Sequence, residues 1–197
     1  FLYRVRWYLA IIPLIALIIA WFLTRNMDKE YNVKTTIYTG IISGYNIETG
    51  TSVSAANSAV NMGNLIHIIS TERTLKEVSL RLFARVMTYG DENQNNNYIL
   101  AEHFKELNAS VPQEVKALID KRSEDKTVDN LLAYERPSAG NYVYGLLNYG
   151  HPYFSIRALS EKIKVARMEN SDLIEIGYSA NDPGIAYNTL EILNEEF

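Results

Sequence analysis

The sequence predicts an α+β protein in which an N-terminal transmembrane helix precedes a mixed α/β domain, and three observations carry this prediction. An uncharged apolar run of 17 residues occupies 7–23. Strand-like segments of alternating residues occur at 31–39 and 163–178. Between them lie several segments with apolar residues at helical spacing. We therefore expect a membrane helix with a short cytoplasmic flank over 1–25, and one domain over 26–197.

The predicted anchor rests on the length of its apolar run. At 1.5 Å per residue the run forms about 26 Å of helix, close to the roughly 30 Å of a hydrocarbon core. Trp7, Tyr8 and Trp21 stand near its ends, where amphipathic rings favour the headgroup level. A secretory signal would be followed by a small-residue cleavage site, and an interfacial helix would have a polar face. The run has neither feature, which leaves a buried core helix as the alternative.

The first part of the domain begins with a strand. Tyr31, Val33, Thr35 and Ile37 alternate with polar residues and share one predicted face. A loop rich in Gly, Ser, Thr and Asn should follow over 40–58. Helical spacing then predicts a helix over 59–69, continued to about residue 86 by a second segment with Ser70 or Thr71 as its cap.

The middle of the chain, 90–154, is predicted to be an insertion-like helical region. It opens with a polar, Asn-rich loop at 90–97. Helical patterns follow over 98–107, from Pro112 to about residue 121, and over 125–134. The region is longer than the rest of the domain requires.

The last third contains the clearest pattern. A helix is predicted over 154–161, and strands over 163–167 and 173–178 are separated by a turn at 169–172. Asp182 is then placed as the N-cap of a final helix and Pro183 as its first residue. Residue 197 falls within that helical pattern, so we expect 182–197 to be the start of a longer helix.

Composition and motifs exclude several kinds of chemistry. The absence of Cys rules out disulfides and zinc–thiolate sites, and a net charge of −4 argues against a nucleic-acid partner. Neither a phosphate-binding P-loop nor a serine-nucleophile elbow occurs. His67, His103 and His151 lack metal-ligand spacing. We therefore predict no catalytic, cofactor-binding or metal-binding residue in these 197 residues, and a kinase domain beyond residue 197 stays open.

Tyrosines cluster between Gly140 and Ser155. Three interpretations of this cluster remain: ordinary packing, an interface between protomers, where Tyr is favoured, and contact with a glycan. The candidate contact residues are Tyr142, Tyr144, Tyr149 and Tyr153.

Three features together resemble a known family. They are the apolar run followed by the Tyr-x-Val-x-Thr-x-Ile strand from Tyr31, the Asn-rich helix over 61–75, and the segment over 163–186 that contains Asp182 and Pro183. This combination resembles the Wzz-type polysaccharide chain-length determinants, or polysaccharide co-polymerases, and the related extracellular parts of Wzc-type tyrosine autokinases. The resemblance covers 1–88 and 155–197.

The resemblance implies a protein of the bacterial inner membrane whose domain is periplasmic. Two transmembrane helices would flank that domain, and Asp182 and Pro183 would begin the helix that leads into a long helical arm. Protomers would form a homo-oligomeric ring beside a polysaccharide polymerase or exporter and contact the nascent polysaccharide. The second span and any kinase motif are missing from these 197 residues.

The function expected from this resemblance is regulation of the chain length or export of O-antigen, capsule or exopolysaccharide by a non-enzymatic, membrane-anchored subunit. One alternative is the membrane and periplasmic part of a tyrosine autokinase that controls capsule export. The other is an anchored ligand-sensing domain, which the tyrosine cluster suggests.

Overall fold

A computed structural model describes residues 2–25, 29–40, 55–168 and 171–196. Within these ranges the side chains of 2–10, 23, 25 and 55–59 lie outside the description. Most of the predicted loop at 40–58 and part of the predicted turn at 169–172 therefore fall outside the described residues.

The N-terminal helix, α1, extends over Leu2–Arg25, which confirms that this segment is helical. Where the structure describes the chain, however, no helix combines the length and apolar character that a membrane crossing requires. The predictions of a transmembrane helix, of an integral membrane protein and of an inner-membrane location are thus contradicted.

The strands form a small antiparallel sheet, and together with the helices they agree with the predicted α+β class. The strands are β1 (Tyr31–Tyr38), β2 (Lys164–Arg167) and β3 (Leu173–Ala180), in the order β1-β3-β2. Tyr31 pairs with Ala180 and Ile37 with Ile174, so the alternating face of β1 continues across β3. The predicted strand and its shared face are confirmed, and Tyr31, Val33 and Ile37 of that face pack on the hydrophobic core.

Two helices follow β1. Helix α2 covers Ala55–Ile69, and α3 covers Glu72–Tyr89, longer than predicted. The hydroxyl oxygen of Thr71 accepts the Thr74 N–H and caps α3, which identifies Thr71 as the cap. Nearly all of the second half of α3 is buried, because α6, α8 and α9 pack around it.

The region 90–154 contains four helices in the described chain. They are α4 (Ala101–Ser110), α5 (Gln113–Lys116), α6 (Glu124–Tyr134) and α7 (Tyr142–Asn148). Helix α4 begins later than predicted because the Asn96 side chain accepts the N–H groups of Tyr98 and Ile99 and holds them in a turn. Apolar residues of this region, among them Phe104 and Leu131, belong to the same core as α3.

Two more helices complete the domain. Helix α8 covers Ile156–Lys162, and the side chain of Ser155 accepts the Ala158 N–H as its cap. Helix α9 covers Pro183–Glu196 and packs against β1, β3 and α3. The sheet therefore has one face beneath α9 and one solvated face, where Lys34 and Glu175 form an exposed ion pair at 2.8 Å.

Candidate functional site

Asp182 begins α9 as predicted, and its carboxylate does more than cap that helix. Its Oδ1 accepts the N–H groups of Gly184, at 2.9 Å, and Ile185, at 3.2 Å. Its Oδ2 accepts the Leu100 N–H at 2.9 Å and lies 2.7 Å from Nδ1 of His103. The carboxylate is fully buried, so these four partners replace the water it loses.

His103 is held in place by this carboxylate. Nδ1 is directed at the carboxylate of Asp182 and therefore carries a proton, which it donates to Oδ2. Nδ1 also lies 3.5 Å from the Tyr153 hydroxyl. The contact with Asp182 places His103 between α4 and α9. Its evident role is to join α4 to α9.

The four candidate tyrosines occupy different environments. Tyr153 is buried beside His103, and Tyr142 is half-buried, with its hydroxyl 3.3 Å from that of Ser110. Tyr144 packs edge-on against Tyr149, with ring centroids 5.9 Å apart and planes at 84°. Tyr149 is 63 % exposed.

Tyr142 and Tyr149 line an open groove of about 540 Å³ on the surface of the helical region. We call it the tyrosine groove, and its lining residues come from 110–114, 139–146 and 149–151. Cavities of this size, with aromatic walls and few polar groups, are typical of small-ligand sites. The structure thus brings two of the four tyrosines together at one groove. Tyr144 supports it through Tyr149, and Tyr153 packs in the core.

The polar groups of the tyrosine groove are a carboxylate, hydroxyls and an imidazole. Glu114 lines the groove, and its Oε1 accepts the Tyr134 hydroxyl at 2.7 Å. Burial lowers the pKa of His151 to about 4, so this ring is neutral at pH 7. Its Nδ1 accepts the Tyr153 N–H at 3.2 Å, which places the proton on Nε2. Burial also raises the pKa of Tyr142, which stays a neutral hydroxyl.

Asn141 lines the groove and fixes its shape. Its Oδ1 accepts the Tyr144 N–H and caps α7, and its Nδ2 donates to the Tyr134 carbonyl at the end of α6. Both ends of the amide are therefore used. This residue fixes α7, and with it Tyr142 and Tyr149, against α6.

The sequence prediction missed Glu114, Ser110 and His151 as groove residues. Ser110 and Glu114 precede Tyr142 and Tyr149 by 28 to 39 positions and reach the groove only through the packing of α4, α5 and α7. His151 follows Tyr149 by two positions. A local signal did exist for α7, since Asn141 precedes an apolar segment as a helix cap should. Among the described residues no group of three His, Asp or Glu side chains is placed to hold a metal ion.

No protein-family model, no curated protein and no solved structure matches this chain.

Proposed function

We propose that this chain is a non-enzymatic regulatory subunit of polysaccharide assembly that contacts the growing saccharide through the tyrosine groove. By holding the polymer it would influence chain length or export. The observation that carries the proposal is the groove itself, an open cavity of about 540 Å³ in which the exposed ring of Tyr149 stands near a carboxylate and hydroxyls.

The chemistry of the groove favours binding over hydrolysis. An aromatic face packs against the apolar side of a sugar ring, while carboxylate and hydroxyl groups bond its hydroxyls. Most glycosidases place two carboxylates on either side of the scissile bond. Of the described residues that line the groove, only Glu114 carries a carboxylate.

The polysaccharide context comes from the resemblance of 1–88 and 155–197 to the co-polymerases. In support, α9 begins at Asp182-Pro183 immediately after β3, the order that the resemblance implies. The same resemblance leads us to propose that the chain forms a homo-oligomeric ring and that its partner is a polysaccharide polymerase or exporter. Light scattering of the purified chain, in a mild detergent because α1 exposes apolar side chains, tests the oligomer.

The test of function is deletion of the gene in its own host, followed by electrophoresis of the surface polysaccharide. We expect a broader or shorter length distribution, restored by the native gene. Complementation with Tyr149→Ala should fail to restore it, whereas Tyr187→Ala, which removes a tyrosine that is 54 % exposed on α9, should succeed. An unchanged distribution after deletion would refute the proposal.

A further inference from the structure

The charge of the tyrosine groove indicates which saccharides it accepts. Glu114 is the only ionised side chain among the described residues that line it, since His151 is neutral at pH 7. The basic side chains nearest in sequence are Lys116 and Arg136, and neither lines the groove. Lys116 lines a different cavity, and Arg136 donates to the carbonyls of Ala133 and Glu135 at the end of α6. The groove thus presents one negative charge.

Glu114 is also placed to accept hydrogen bonds. The residue is exposed, and only its Oε1 is engaged in the structure, by the Tyr134 hydroxyl at 2.7 Å. A carboxylate oxygen accepts more than one donor, and a hydrogen bond from a sugar hydroxyl to a charged acceptor is stronger than one to a neutral acceptor. The hydroxyls of Ser110 and Tyr142 lie 3.3 Å apart on the same wall.

We infer that the tyrosine groove binds a neutral saccharide segment, built from hexoses or N-acetylhexosamines, and rejects segments that carry uronic acids or phosphates. This inference rests on the proposed function and assigns the ligand class of its site. Tyr149 supplies the face for the sugar ring, Glu114 accepts from its hydroxyls, and the same carboxylate repels an anionic sugar. At an effective dielectric near that of a protein surface, such repulsion amounts to at least about tenfold in affinity.

The experiment is titration of the whole chain, in mild detergent, with neutral hexamers (maltohexaose and chitohexaose) and with hexagalacturonate, followed by calorimetry. We expect a neutral hexamer to bind at least about tenfold more tightly than the acidic one at low salt. Tyr149→Ala should abolish binding, and Tyr187→Ala should leave it unchanged. Circular dichroism of each variant establishes that it is folded.

Two further variants separate the charge from the hydrogen bond. Glu114→Gln removes the repulsion and should bring the affinities for neutral and acidic hexamers close together. Tyr134→Phe removes the hydroxyl that donates to Glu114 but keeps the charge, so the preference should persist.

The outcomes distinguish this inference from the proposed function. Equal or tighter binding of hexagalacturonate by the native chain would overturn the neutral class while leaving the groove as a saccharide site. If no hexamer binds although gene deletion alters polymer length, the groove assignment fails and the regulatory function stands. If deletion has no effect but neutral hexamers bind at Tyr149, the ligand class stands and the regulatory function fails.

Discussion

Nδ1 of His103 lies 2.7 Å from Oδ2 of Asp182, and this contact joins the first turn of α4 to the N-cap of α9 across 79 positions of the chain. The same oxygen accepts the N–H of Leu100, the residue before α4. One buried carboxylate therefore accepts hydrogen bonds from N–H groups at the start of two helices, and these groups would otherwise have no partner within their helices.

Replacing Asp182 should be among the most destabilising changes in the chain. In Asp182→Asn the amide oxygen still accepts the N–H groups at the start of α9. The amide NH₂, however, faces the Leu100 N–H and Nδ1 of His103, which donate to the carboxylate in the native chain. We expect the free energy of unfolding to fall by about 2–4 kcal/mol, measured by urea denaturation. Asp129→Asn, at an exposed position of α6, is the matched control and should change little. A loss as small as that of the control would contradict the shared-cap role.

Gly184 lets the backbone of α9 approach the backbone of Tyr98 and Ile99 more closely than a residue with a Cβ atom allows. A Cβ atom there would lie 2.4 Å from the carbonyl carbon of Tyr98 and 2.7 Å from the amide nitrogen of Ile99. Gly184→Ala should therefore cost about 3 kcal/mol or more, because backbone must move. At Gly63 in α2 a Cβ meets nothing within 4 Å, so Gly63→Ala should stabilise by up to about 1 kcal/mol. In thermal unfolding, the midpoint temperature should fall for Gly184→Ala and rise for Gly63→Ala.

Arg85 links three helices through carboxylates. Its guanidinium reaches Glu124 of α6 at 3.0 Å and, on α9, Glu191 at 2.7 Å and Glu195 at 3.1 Å. Arg85→Met would leave three carboxylates facing one another, and we expect a loss of about 3 kcal/mol, since the pairs are partly buried. Arg157→Met, which breaks a fully exposed ion pair, should have no measurable effect. An equal loss of unfolding free energy for the two variants in chemical denaturation would show that the Arg85 ion pairs stabilise no more than an exposed pair.

Lys121 stabilises the end of α3. Its ammonium donates to the carbonyls of Met87, at 2.6 Å, and Thr88, at 3.1 Å, where the helix dipole favours a positive charge. Lys121→Met should reduce the free energy of unfolding by about 1 kcal/mol. Lys105→Met, at an exposed position of α4, provides the comparison and should leave the urea midpoint in place.

His151 should make stability fall in mild acid. Burial lowers its pKa to about 4 in the folded chain from 6.5 in the unfolded chain. As the pH drops below 6.5 the unfolded state takes up a proton that the folded state refuses, so about 2 kcal/mol should be lost between pH 7 and pH 5. In His151→Asn the side chain still accepts the Tyr153 N–H but does not titrate. Urea midpoints at the two pH values should differ less for this variant, and an equal difference would exclude His151 as the cause.

Local patterns in the sequence predicted much of the fold. The alternating face of β1, the β2–β3 pair and the start of α9 at Asp182 depend on neighbouring residues, whose period and capping chemistry are visible in sequence. The same holds for the cap at Thr71.

Boundaries in the middle region were less predictable because side chains override helical spacing there. The turn at Asn96 delays α4. Helix α5 ends at Lys116, because the N–H groups of Leu118 and Ile119 bond to carbonyls three residues back and not four. Helix α7 was not predicted at all, since Gly145 interrupts its pattern. None of these contacts leaves a periodic signal.

The candidate site was only partly predictable for a related reason. Aromatic clustering identified Tyr142 and Tyr149, but separating them from the buried Tyr153 required the path of the chain around α7. Glu114 approaches from another helix, and an exposed glutamate carries no sequence signal for that placement.

The double cap at Asp182 has a consequence for how the domain opens. When α9 detaches, α4 loses the acceptor for Leu100 and His103, and when α4 detaches, the carboxylate is left buried without those donors. Neither helix can therefore open at low cost while the other stays in place. In hydrogen exchange, the amides of α4 and α9 should share one opening free energy and behave as a single cooperative unit made of distant segments.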